Sequence, residues 1–189
     1  MVKSEDKRLL LRLARRSLEY FMDNHQKLEP DLGGIPFGLC EDKGVFVTLF
    51  TKSGQLRGCI GYTDPIKPIW KAVIENSVNA AFYDSRYKAL QRNELDNLIL
   101  EIAILSDQRK LSYTDSDDLL SQLDSSRGVI IKRGMHSATY LPDVWETFSS
   151  KEEFLENLCT KAGLKSEAWR GEKLEIFTYS AEIFSEDKY

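Results

Sequence analysis

Residues 55–62 read Gln-Leu-Arg-Gly-Cys-Ile-Gly-Tyr and set a guanidinium and a thiol two positions apart among glycines. In an extended strand alternate side chains take opposite faces, so Leu56, Ile60 and Tyr62 share one face and Arg57 and Cys59 the other. A fixed positive charge near a thiol favours the thiolate, which is the nucleophilic form. Glycines inside a strand, here Gly58 and Gly61, mark a bulge or a close approach by backbone or ligand. One reading is therefore chemical: Cys59 as nucleophile or carrier, and Arg57 stabilising the thiolate or binding an anion. The other is a buried structural cysteine, since free Cys packs as a small hydrophobe.

Other residues could join this pair. Asp84 and Arg86 follow a long helical pattern; Arg86 could meet an anionic group bidentately, or the two could form an ion pair that holds the turn. His136 opens a strand and could act as a base if two halves of the chain face each other; the alternative is a histidine on a surface turn. Glu101 interrupts an apolar strand, so it is either partnered inside, with Arg57 as one option, or turned towards a cleft. Of the three thiols, Cys59 is expected to alkylate most readily, on account of its Arg57 neighbour and the two glycines, ahead of Cys40 in a loop and of Cys159 with its helical core spacing.

Composition limits the classes of function. The chain has 189 residues, 42% hydrophobic and 30% charged, with a formal net charge of −4. That suits a globular protein with a sizeable core and argues against a general nucleic-acid binder, which needs a basic face. Three dispersed cysteines and two histidines form no disulfide framework and no zinc-ligand spacing, so no metal site is expected. No apolar run is long enough for a membrane span and the first residues lack a signal-peptide pattern, which points to the cytoplasm.

The elements that must position these residues follow from pattern. Ser4 to about Asn24 is an amphipathic helix, with Ser4 as its cap and Leu9, Leu10, Leu13, Ala14, Ser17, Tyr20 and Phe21 on its wide apolar face. Gly44 to Thr51 and Gln55 to Tyr62 form a hairpin around Lys52-Ser53-Gly54. Asp64-Pro65 is expected to open a helix that buries Ile69, Trp70, Val73, Ser77, Ala80 and Ala81 on one face. A helical turn around Glu94 leads to a strand over Leu98–Leu105. Asp117 and Asp118 read as charges at a helix N-terminus. A second hairpin spans Gly128–Leu141. A helix with a Ser150/Glu153 capping box then stops at Gly163, and one final strand runs over Leu174–Phe184. Hairpin, helix and strand thus occur twice, over about residues 44–106 and 128–184, which predicts two related lobes with a groove between them. The strand over Gln55–Tyr62 and His136 would face each other across that groove, whose two arginines would prefer a small anionic ligand or peptide.

With these residues in place, the chain resembles the AMMECR-type domain family, also called AmmeMemoRadiSam system protein A. The resemblance rests on Gly44-Val45-Phe46-Val47-Thr48, Leu56-Arg57-Gly58-Cys59-Ile60-Gly61 and Ala80-Ala81-Phe82-Tyr83-Asp84-Ser85-Arg86-Tyr87. It continues through Glu101-Ile102-Ala103-Ile104-Leu105, Tyr140-Leu141-Pro142-Asp143-Val144-Trp145 and Lys161-Ala162-Gly163-Leu164. Tyr87 stands where Phe is usual, and Ser85 and Lys88 where prolines are common; these departures affect one turn. The resemblance implies a single α+β domain of two β-β-α-β repeats that exchange their last strands, with an added N-terminal helix. It also implies partnership with Memo-type and radical S-adenosylmethionine proteins in a modification pathway. It fixes no reaction and no cofactor, and a non-catalytic binding or adaptor module stays open beside the enzyme reading.

Overall fold

The computed structural model describes residues 2–171 and 173–189. Two β-β-α-β repeats are present, within an α+β architecture of two four-stranded sheets. The first repeat comprises β1 (Val45–Thr51), β2 (Leu56–Tyr62), α2 (Ile69–Phe82) and β3 (Leu98–Leu105), preceded by α1 (Ser4–Asn24). Then come β4 (Arg109–Leu111) and α3 (Ser116–Gln122), followed by the second repeat: β5 (Gly128–Arg133), β6 (His136–Tyr140), α4 (Lys151–Lys161) and β7 (Glu175–Tyr179). Between α4 and β7 lies the short α5 (Ala168–Gly171), and β8 (Ala181–Ser185) closes the chain's strands.

The sheet orders are β2-β1-β3-β8 and β4-β7-β5-β6. Each repeat supplies three strands of its own sheet in the same order, and the fourth is a continuation of the other repeat's last strand. The residues expected as one final strand are therefore two. At Ser180 the ladder breaks, β7 staying with β5 and β8 joining β3. Ser106 donates its backbone N–H to the Ser180 carbonyl (2.9 Å) and its hydroxyl oxygen accepts from Ser180 N–H (3.0 Å). Side-chain and backbone groups thus satisfy each other where the ladder lapses.

Two compact units result: residues 1–105 with 182–189, and residues 106–181. In the first, α1 and α2 cover one face of the sheet, burying Leu10 and Leu18 against Val45, Val47, Leu49, Val73, Leu100, Ile102 and Phe184. α2 is buried nearly all round, because it also contacts α1, β1 and β2. The helix begins at Ile69 and not at the expected Asp64-Pro65, since Pro68 would have to donate the bond that closes an earlier first turn. Instead, Ile69 N–H donates to the Glu41 carbonyl (3.0 Å) and Asp42 bridges to Pro68. Ser4 is likewise inside α1, with Lys3 as the cap residue. In the second unit, Phe154, Leu155, Leu158, Cys159 and Trp169 pack beneath Val129, Ile131 and Ile176, and the Trp145 and Phe154 rings stack. Ser150 caps α4 as expected, accepting from Glu153 N–H (3.1 Å), whereas the Glu153 carboxylate reaches back to Ser149 N–H (2.8 Å). Asp115 caps α3, accepting from the N–H groups of Asp117 and Asp118. Among the described residues, no helix is long and apolar enough to cross a membrane.

Candidate functional site

The hallmark strand β2 is an edge strand, and two features of its pairing shape the site. The register with β1 matches Thr48 with Cys59 and Leu49 with Gly58, then slips so that Phe50 faces Leu56. Arg57 is the extra residue of a β-bulge, a device that re-aims a side chain. The slip also moves Leu56 across the sheet. It opposes Phe50 and is 38% exposed, while Ile60 and Tyr62 remain packed on the core. Strict alternation placed all three together; the bulge breaks it.

Arg57 swings off the sheet edge. Its Nε donates to Glu94 Oε1 (2.8 Å), and its Nη2 donates to Glu94 Oε2 (3.0 Å) and to the Lys88 carbonyl (3.0 Å). The carboxylate partner of Arg57 is thus Glu94, not Glu101, and its hydrogen bonds hold the Glu94 carboxyl below the usual range. Glu94 Oε2 also accepts from Gln91 N–H (2.8 Å), closing the capping box of the short helical turn Arg92–Asn97. Arg57 ties β2 to the connection that feeds β3. Substituting Arg57→Lys keeps the charge but loses the planar fork, and is expected to destabilise the protein by about 1–2 kcal/mol. A urea unfolding midpoint equal to that of the wild type would show the fork to be dispensable.

At Cys59 the unpaired edge of the strand is met by side chains. Cys59 N–H donates to Asp84 Oδ2 (2.9 Å), and Arg86 Nη2 donates to the Cys59 carbonyl (3.3 Å). Asp84 is 5% exposed and also accepts from Arg86 Nε (2.9 Å), Arg86 Nη2 (2.7 Å) and Arg86 N–H (3.1 Å). These hydrogen bonds from Arg86, joined by the Cys59 amide, hold the Asp84 carboxyl down at about 2 against the opposing effect of burial. Asp84 reaches the edge because α2 ends at Phe82, and α2 lies close to β2 because Gly58 has no side chain. A Cβ there would stand 2.1 Å from the Ala80 carbonyl oxygen. At Gly61 a Cβ would meet the Phe46 ring at 2.4 Å and the Val45 carbonyl at 2.5 Å.

With its backbone groups turned outward to Asp84 and Arg86, Cys59 forms a close, non-hydrogen-bonded cross-strand pair with Thr48. The Thr48 hydroxyl donates to Cys59 Sγ at 3.2 Å. Thr48 is also paired with Glu101 of β3, so Cys59, Thr48 and Glu101 form one row across three strands on the face opposite the helices. Cys59 is half-buried, Cys40 exposed and Cys159 buried in the second core, where burial pushes its thiol up. His136 belongs to the second unit. Its Nδ1–H donates to the Ala162 carbonyl (2.9 Å) at the end of α4, so the ring clasps a helix terminus. Among the described residues, no group of three or more His, Cys, Asp or Glu could hold a metal ion.

The structure therefore gathers Arg57, Gly58, Cys59, Gly61, Asp84 and Arg86 around one strand edge, with His136 in the other unit. Two contributors were not singled out by sequence. Thr48 carried one signal, as the polar residue inside the run Val45–Phe50. Glu94 carried another, as the third position of a capping box.

Comparison with known proteins agrees with this architecture. Protein NEQ441 of Nanoarchaeum equitans is 36% identical over 184 residues, covering 94% of this chain and 99% of that one. A protein of Thermococcus onnurineus is 35% identical over 195 residues, covering 98% and 93% respectively. The crystal structure of PH0010 from Pyrococcus horikoshii matches with a TM-score of 0.90 at 32% identity, covering 98% of this chain and 94% of that one. The AMMECR1 family model matches residues 11–184, and the chain belongs to the AMMECR1 family.

Proposed function

We propose that β2 carries a reactive-thiol site for a substrate with an anionic group, in a cytoplasmic modification pathway shared with Memo-type and radical S-adenosylmethionine proteins. The observation that carries the reading is the hydroxyl of Thr48 directed at Cys59 Sγ at 3.2 Å, on a residue whose backbone is fixed on both sides by Asp84 and Arg86. A donor aimed at sulfur stabilises thiolate over thiol. Cys59 is the nucleophile in this reading. Arg86, whose side chain is 54% exposed, keeps guanidinium surface open to solvent beside Cys59 and meets the anionic group. Asp84 and Arg57 are positioning residues. The link to Memo-type and radical proteins rests on the family resemblance.

Site-resolved alkylation tests it. With limiting iodoacetamide, Cys59 is expected to label before the more exposed Cys40 at mildly acidic pH. Thr48→Val should move the Cys59 labelling curve to higher pH and slow labelling at neutral pH by roughly three- to tenfold. Labelling of Cys59 that ignores Thr48→Val would sink the chemical reading. It would favour the second one, a non-catalytic binding module, for which the commitment of Arg57 to Glu94 and of Arg86 to Asp84 speaks.

A further inference from the structure

Away from the hallmark strand, α1 carries Arg8, Arg12 and Arg16 at every fourth position, which aligns them in one row on the helix surface. They border a cleft of about 320 Å³ whose wall includes Leu11 and Tyr189. Arg15, on the same cleft, is occupied: its Nε donates to Glu186 (3.0 Å), and its Nη1 and Nη2 donate to the carbonyls of Leu95 (2.8 Å) and Leu98 (3.0 Å). In this unit Arg15, Arg57, Arg86 and Arg92 each hold a carboxylate. Arg8, Arg12 and Arg16 hold none among the described residues; Arg8 lies over the Tyr189 ring, 5.9 Å from its centroid. Like charges four apart on a helix repel. In a chain with a net charge of −4, the unneutralised cations of this unit's arginines are thus collected in one row.

The spacing of the row selects its partner. Four residues of helix rise about 6 Å, so the three guanidiniums spread over about 12 Å, too far for one compact anion to meet all of them. An extended peptide repeats each face every ~6.6–6.8 Å, so carboxylates at alternate positions run in step with the row. Apolar side chains beside them would lie against the exposed Tyr189 ring and the arginine stems. We propose that the Arg8–Arg12–Arg16 row of α1 is a docking surface for an extended acidic segment of a partner protein, with carboxylates at alternate positions.

The test is fluorescence anisotropy with a rhodamine-labelled decapeptide of alternating Glu and Leu, a Lys-Leu counterpart and decathymidylate. The Glu-Leu peptide is expected to bind the full chain at low salt and to weaken as salt rises. The Arg12→Glu/Arg16→Glu variant should lose about tenfold or more in affinity, whereas Arg12→Lys/Arg16→Lys should stay within about threefold. These positions are exposed, so the variants should melt like the wild type; if the charge reversal does not, Arg12→Ala/Arg16→Ala is judged by the same loss. No binding to the wild type, equal binding to the reversed variant, or tighter binding of decathymidylate than of the acidic peptide would each overturn the proposal.

Discussion

Replacing Gly58 with alanine is expected to destabilise the protein by more than about 3 kcal/mol, lowering its melting temperature by at least roughly 6–12 °C. The added Cβ would stand 2.1 Å from the carbonyl oxygen of Ala80, which is helix backbone and cannot rotate away as a side chain would. β2 and α2 have to part, and that exposes the core shared by Val47, Val73 and Ala80. Gly54 is the control. It sits at φ +83° with open space around it, so alanine there meets only the left-handed backbone penalty of about 1–2 kcal/mol. Gly61→Ala should fall nearer to Gly58→Ala, because part of its collision is with the Val45 carbonyl, which is strand backbone. Equal melting shifts for the substitutions at 54, 58 and 61 would mean that the close approach is not what the motif glycines provide. The consequence reaches the site, because the same separation would carry Asp84, two residues beyond α2, away from Cys59.

Asp84→Asn should cost about 2–3 kcal/mol at neutral pH, with a dependence on acidity that identifies the charge as the cause. The Asp84 side chain is 4% exposed, and its carboxyl is held at about 2, chiefly by hydrogen bonds from Arg86. An unfolded aspartate titrates near about 3.9. A folded-state value below the unfolded one means that the ionised form stabilises the fold. That contribution is complete above about pH 4, declines as the pH falls, and is gone below about 2. Stability curves of wild type and Asp84→Asn should therefore converge between about pH 4 and pH 2. Arg86 is half exposed and rehydrates when its partner is lost, which keeps the cost below that of breaking a fully buried pair. A gap between the two proteins that stays constant across this range would assign Asp84 a role through shape alone.

Much of this molecule was legible in local pattern. Leu98–Leu105 reads as a strand and is one, and His25 ends α1 in the left-handed conformation where the helical periodicity runs out. The doubled hairpin-helix-strand order, the helix start marked by Asp117 and Asp118 and the stop at Gly163 are also properties of neighbouring residues along the chain, so sequence determined them. The motif Leu56–Gly61 likewise announced a special strand, because two glycines inside a strand mark a close approach or a bulge. What the motif does with its charges was decided only by tertiary structure. The bulge at Arg57 depends on register with β1, and that register turned Leu56 to the other face and aimed the guanidinium at Glu94, 37 residues along the chain. Thr48 became the partner of the thiol because a non-hydrogen-bonded pair brings opposing side chains together, and no periodicity in β1 encodes which residue of β2 will stand opposite. The break at Ser180 has the same origin. An unbroken run of strand-forming residues specifies extended backbone, but the choice of sheet for each half belongs to the edges available in the folded chain.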